Sequence, residues 1–294
     1  MSGTEKIKPL LIGKSTKPRC FRGIKSLPID YESNPKAWMT ALLWNKWLKQ
    51  FDEKLFKENR KIILFIDNCT AHATIPNLKA ITIKFLSTDT TSKIQPLGHG
   101  IIQNFKVFYR KEVIRKITSN TELQRTISID LLQAIRITDK SWRQVTSEVI
   151  SNSFKKAGFQ HPGTLSLVQT ISSYQEPYQE KNHPEWSYIK QKYNLMPEFT
   201  FNSYVKIDDN LTICSNLNDS EIESEDAGLA NNCIRDNDRD DHSTSRKVSY
   251  KEATRALDIL RDFIETTEGM DNIHFEALGT IEDAMDKIKH TEAP

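Results

Sequence analysis

The first 118 residues switch repeatedly between the two periods that separate strands from helices. KPLLIG, residues 8–13, is a short apolar run followed by a turn rich in Lys, Gly and Pro, and it predicts a strand. Asn34-Pro35 has the chemistry of an N-cap followed by a first helical residue. Trp38, Ala41, Trp44, Trp47, Leu48, Phe51 and Leu55 then recur at helical spacing, which predicts an amphipathic helix over 35–57 with its aromatic stripe in the core. KIILFID, residues 61–67, is a continuous apolar run of strand length and predicts a strand buried on both faces. ITIKFLS, residues 81–87, predicts a second strand, and the thirteen-residue stretch NCTAHATIPNLKA between them permits a parallel crossover. The expectation is a mixed α/β sheet.

From Gly100 to Lys116, Ile101, Phe105, Phe108, Tyr109 and Val113 fall on one side of a helix, and Lys106, Arg110, Lys111, Arg115 and Lys116 fall on another. That spacing predicts an amphipathic helix with a basic outer side. Two further helices are expected over 121–137 and 141–157, the second opened by a capping box of Ser141 and Gln144 and closed by Gly158. Residues 160–205 show weak periodicity and receive no assignment. Residues 206–248 are polar, acidic and poor in aromatics, so they cannot bury enough apolar surface to offset ordering entropy and predict a disordered linker. A second capping box, Ser249 with Glu252, opens a helix carrying Ala253, Ala256, Leu257, Leu260, Phe263 and Ile264, and Leu278, Ile281, Met285 and Ile288 define a last one. These two helices could fold back on the main domain or self-associate.

Charge sharpens this division. The chain carries 41 Lys+Arg against 39 Asp+Glu in 294 residues, but residues 1–118 hold 22 basic and 9 acidic side chains and the remainder 19 and 30. A basic front and an acidic back fit a polyanion-binding module followed by an acidic tail. A hydrophobic content of 37% suffices for a core yet is low for a chain folded throughout. No apolar stretch approaches the length of a membrane span, and the first residues lack the apolar core of a signal peptide, which favours an intracellular, non-membrane protein. Cys20, Cys69, Cys214 and Cys233 lack metal-ligand spacing and read as free thiols.

Asp67 closes the KIILFID strand, a position where α/β sheets place catalytic and metal-binding groups, although an Asp there can also simply open a turn. The run DNCTAH, a strand, and then TTSKIQPLGHGIIQNFKVFYRK resembles the DDE-superfamily endonuclease domain of pogo, Tigger and jerky-like transposase-derived proteins. The likeness extends to the segment from Gly3 to Leu48 and to SWRQVTSEVISNSFKKAGF, residues 141–159. It implies an RNase H-like fold with a mixed sheet flanked by helices and incomplete at its front, over residues 1–120, followed by a helical extension over 121–205, the acidic linker over 206–248 and a helical pair over 249–290.

The resemblance also implies chemistry. In that family three carboxylates hold two divalent ions, normally Mg²⁺, that activate the nucleophile and stabilise the leaving oxygen of a DNA phosphodiester. Asp67 matches the second acidic position, with His72 in its usual structural context. Gly98 stands where the third carboxylate is expected, and the first falls on a strand upstream of the residues that match. His99 would prefer softer ions, and Asp89, Gln103 and Glu112 are poorly placed to substitute. With one ligand of three, Asp67 holds metal only if the domain is completed, no cofactor is expected as the chain stands, and no cleavage is expected. Binding to DNA is expected through phosphate contacts of Lys14, Lys17, Arg19, Arg22 and Lys25 and of Lys106, Arg110 and Lys111 on the helix. The family likeness places the protein in the nucleus. The alternatives are a Mg²⁺-dependent endonuclease or transposase completed by another segment or subunit, and a protein-interaction scaffold.

Overall fold

The computed structural model describes residues 2–72, 74–86, 94–122, 128–159, 184–209 and 249–291. It divides into two compact units, residues 1–20 with 29–216 and residues 21–28 with 217–294. In the first unit, β1 (Leu10–Gly13) pairs in parallel with β2 (Asp30–Ser33), and β3 (Ile62–Ile66) pairs in parallel with β4 (Ile81–Phe85). Among the described residues these are two separate two-stranded sheets, and both pairings are parallel rather than mixed. The strand and crossover expectations for 61–67 and 81–87 are met.

Helix α1 (Ala41–Lys57) lays Trp44, Leu48 and Leu55 on one face of β3 and β4, where they meet Ile66, Ala80 and Ile81. The aromatic stripe is therefore core, as its spacing requires. Its start was misplaced by six residues. Asn34 Oδ1 accepts hydrogen bonds from the amides of Lys36 and Trp38, and Ala37 lies in the left-handed region at φ 55°, so the side chain caps a turn instead of a helix. Thr40, extended and accepting from the Leu43 amide, is the N-cap.

β3 is not buried on both faces. Ile62 and Leu64 pack against α1 along with Ile66, whereas Ile63 on the opposite face is 56% exposed; on β4, Thr82 and Lys84 are exposed too. The apolar run made β3 look central, but the described residues supply layers on only one side apart from the contact of Phe65 with Phe159.

Helix α2 (Ile101–Glu122) is the hub of the rest of this unit. Along one side Ile101, Phe105 and Phe108 pack with α3 (Leu131–Gln144) and α4 (Ser147–Lys156) through Trp142, Val145 and Ile150. Along another, Val107 and Ile114 pack with Trp186 and Ile189 of α5 (Pro184–Lys192) and with Phe201 and Val205 of α6 (Phe201–Val205). The helical extension is thus part of the first unit, and the division expected at residue 120 falls inside α2. Asp130 caps α3 and Thr146 caps α4, each accepting an amide two or three residues into its helix. Ser141, expected to open a helix, is instead fully buried within α3, while Gly158 ends α4 at φ 87° as expected.

The second unit contains α7 (Tyr250–Thr266) and α8 (Asn272–Thr291), which pack through Leu257, Ile264, Phe275 and Leu278. The Ser249–Glu252 capping box is formed in full. Residues 21–28 join these helices: the Lys25 and Ser26 amides donate to the Glu265 carbonyl. The expected linker lies outside the described residues except for 206–209, which form a turn at the end of α6; Asp89, Cys214 and Cys233 also lie outside them.

Candidate nucleic-acid interface and acidic site

Parallel strands end on the same side of a sheet, so the loops after β1 and β2 share an edge. The first of these loops carries Lys14, Lys17 and Arg19, all exposed and with no ion pair among the described residues. It is anchored from β2, because Tyr31 Oη donates to the Ser15 carbonyl at 2.6 Å and the ring lies so close to Gly13 that a side chain there would strike it. Burial pushes the Tyr31 phenol up, with the Cys20 thiol adding to the shift, so the hydroxyl stays a donor at neutral pH. The loop therefore offers three cations on a fixed base. In the second unit Arg22 is exposed, while Lys25 is paired with Glu268 at 2.9 Å.

Of the basic side expected on α2, Lys116 is exposed, whereas Lys106, Arg110, Lys111 and Arg115 are half-buried. Lys106 Nζ lies 3.1 Å from Asp208 and 2.7 Å from Asp209. Arg110 lies 3.6 Å from Asp208 and sits over the Tyr204 ring at 5.0 Å. Lys111 is half-buried and also engaged. Burial lowers the Lys106 ammonium's affinity for its proton, but hydrogen bonds to both aspartates outweigh that and hold it above the ordinary lysine value. Local pattern offers no warning, because Asp208 and Asp209 fall in the stretch expected to be a disordered linker and Tyr204 in the stretch without an assignment. Thr200 followed by Phe201, Tyr204 and Val205, and Pro184 followed by Glu185 and Trp186, were the capping and spacing signals available.

Asp67 follows β3 directly. Its carboxylate Oδ1 lies 2.9 Å from His72 Nδ1 and accepts weakly from the Cys69 amide at 3.4 Å. Nδ1 is also within hydrogen-bonding distance of the Asp67 backbone carbonyl at 3.3 Å, and since both oxygens only accept, Nδ1 is the donor. The short 3₁₀ turn Thr70–His72 brings the imidazole back, and Trp44 holds it from α1 with ring centroids 4.3 Å apart. His72 thus lies between Asp67 and Trp44.

Gly98 sits in a 3₁₀ turn, Pro96–His99, immediately before α2. Among the described residues a Cβ at Gly98 would meet nothing within 4 Å, so the position is open to a side chain. Glu112 is buried between Arg115 at 2.6 Å and Lys140 at 3.2 Å and is committed to that network. Among the described residues no group of three or more His, Cys, Asp or Glu could hold a metal ion.

The parallel strands β3 and β4, the core helix α1 across them and the helices gathered on α2 make up an α/β unit, with Asp67 directly after β3. The family model described as DDE superfamily endonuclease matches residues 1–154, and the chain belongs to that family, as a protein of the pogo/Tigger type. It is 40% identical over 162 residues to Tigger transposable element-derived protein 4 of Mus musculus, covering 55% of this chain and 32% of that protein. It is 29% identical over 283 residues to ARS-binding protein 1 of Schizosaccharomyces pombe (89% and 51%) and 31% identical over 173 residues to Major centromere autoantigen B of Mus musculus (58% and 28%). The chain thus spans between about a quarter and a half of the length of these relatives. No solved structure matches it significantly. No helix among the described residues is long and apolar enough to cross a membrane.

Proposed function

We propose that this chain binds duplex DNA through sequence-independent phosphate contacts and does not cleave it. The observation that carries the reading is the loop after β1, where Lys14, Lys17 and Arg19 stand in solvent on a base fixed by Tyr31. An endonuclease fold is built for a polynucleotide, and one relative is named for binding ARS. The reading treats the α/β sheet as RNase H-like and the protein as nuclear, in keeping with relatives named for transposable elements and for a centromere antigen. Cleavage is not part of it because Asp67 stands with His72 rather than with other carboxylates and Gly98 offers no ligand. A domain completed from elsewhere would still lack a side chain at Gly98.

The test is binding to a labelled duplex across a salt series with Mg²⁺ present, the products being resolved on a denaturing gel. Intact DNA and salt-sensitive binding are expected. Replacing Lys14, Lys17 and Arg19 by Ala should reduce the slope of log affinity against log salt by roughly 3, since each phosphate contact contributes about 0.9. An unchanged slope would remove the loop from the interface, and nicking that depends on Asp67 would overturn the non-cleaving reading. Gly98→Asp should melt within about 0.5 kcal/mol of the parent, because its site is open, and should still leave DNA intact.

A second reading, self-association through the helical pair, rests on a separate observation. Ala256, Ile259, Leu260 and Phe263 form an exposed stripe at i, i+3, i+4 and i+7 on α7, with Phe263 57% exposed. Two helices bury little core by themselves, and a second copy would cover this stripe with its own. Phe263→Asp should then shift the sedimentation profile from dimer to monomer. A parent that sediments as a monomer at about 100 µM would rule the dimer out, that concentration being far above the Kd of any stable interface.

A further inference from the structure

The acidic turn after α6 meets α2 in a way that core packing does not require. α6 is already fixed by Phe201 and Val205, both essentially fully buried beside Trp186. Asp208 and Asp209 lie beyond that core, in the turn 206–209, with side chains 33% and 43% exposed and with exposed Ile207 beside them. Three of their oxygens nevertheless converge on two cations of α2: Asp208 Oδ1 and Asp209 Oδ1 on Lys106, and Asp208 Oδ2 on Arg110. Several anionic oxygens spread over a lysine and an arginine one helical turn apart is also what a phosphodiester group would present.

The contrast with Glu112 is informative. That carboxylate is buried between Arg115 and Lys140, so releasing it would leave charges stranded in the interior. The half-exposed aspartates can be released into water at little cost, as surface ion pairs generally can.

We propose that Asp208 and Asp209 act as an intramolecular stand-in for phosphate, holding closed a second DNA-contacting face formed by Lys106 and Arg110. The inference rests on the DNA-binding reading and adds its regulation: anything that draws the acidic turn away or neutralises it opens this face. While the turn is in place, duplex contacts are confined to other cations, including those of the β1 loop. Opening converts two internally neutralised cations into phosphate ligands.

The experiment compares duplex binding, across a salt series, by the full chain and by its Asp208→Asn/Asp209→Asn variant. A control with the same charge change, Glu53→Gln/Glu198→Gln, removes two exposed carboxylates that have no ion pair among the described residues. The expected result is about tenfold tighter binding at low salt and a slope steeper by roughly 2 for the aspartate variant, from two additional phosphate contacts. The control should stay within about twofold of the parent, and adding Lys106→Ala/Arg110→Ala should abolish the gain. If the double variant melts at a lower temperature than the parent, Asp209→Asn alone, the more exposed change, should still give a smaller gain of the same sign. Equal affinity of the aspartate variant and the control overturns the inference, and the DNA-binding reading then survives if the parent binds through the β1 loop. Binding by the aspartate variant where the parent shows none supports the inference and removes the β1-loop reading. Absence of binding by every variant overturns both.

Discussion

Asp52→Ala is expected to destabilise the first unit by about 4 kcal/mol, seen as a lower urea midpoint with little change in slope. Asp52 is buried in the middle of α1, and its carboxylate accepts the consecutive backbone amides of Lys79, Ala80 and Ile81 at 2.8–3.1 Å. The three amides form a concave anion site where the crossover returns into β4. Alanine would leave three donors without an acceptor in the interior beside Trp44, Leu48 and Leu55, each costing about 1–3 kcal/mol. Asn would retain the shape but put an amide group, a donor as well as an acceptor, where all the neighbours donate.

The same carboxylate gives stability a pH dependence of known sign. Burial pushes its pKa up, but the three backbone amides, with Lys79 nearby, outweigh burial and hold it below the ordinary carboxylate value. In the acid range the unfolded chain therefore binds more protons at this site than the folded one, so stability rises with pH. The contribution is complete above the unfolded carboxylate value of about 4 and is lost as pH falls through the lower folded value. Urea midpoints of the parent should fall over that acid window, and those of Asp52→Asn should lose the part of the fall that belongs to this residue. Parallel curves for the two proteins would refute the assignment.

Glu112→Ala is expected to cost about 3 kcal/mol, because it removes the buried carboxylate that both Arg115 and Lys140 pair with between α2 and α3. Arg115 also lies 3.6 Å from Glu185. Substituting Lys140→Met in the Glu112→Ala background should recover part of the loss, since it removes a cation from beside the vacated carboxylate site and preserves apolar length. A double-mutant cycle measured by urea unfolding reads this coupling directly; additive losses would show that the two residues stabilise the fold independently. Glu112 is thus a scaffold carboxylate, held between Arg115 and Lys140.

Much of this molecule was legible before any coordinates. The strand at 61–67, the second at 81–87, the parallel crossover, the aromatic core stripe of α1 and the Ser249–Glu252 cap all follow from local periodicity and capping chemistry, which act between residues near each other in the chain. The likeness to the DDE endonuclease family follows in the same way, because a motif is itself a local pattern. The start of α1 was misread because Asn34 has two uses, as a helix cap or as a turn cap, and only the left-handed backbone at Ala37 decides between them.

Tertiary structure decided what each face meets. An apolar run such as IILFI fixes a strand but not how many layers cover it, and Ile63 is exposed because only one side of β3 is covered along its length. Lys106, Arg110 and Lys111 read as an outward basic stripe since helical spacing states which residues share a face, not what packs on it. The neutralisation of Lys106 and Arg110 depends on Asp208 and Asp209, about a hundred positions away, and on the aromatic core of α5 and α6 that brings the turn there. Asp52 was silent in the sequence for the same reason: an isolated acidic residue inside an amphipathic helix looks solvated until the chain returns three amides to it. Periodicity is set by bonds between near neighbours, whereas burial, charge pairing and site geometry arise only when distant segments meet.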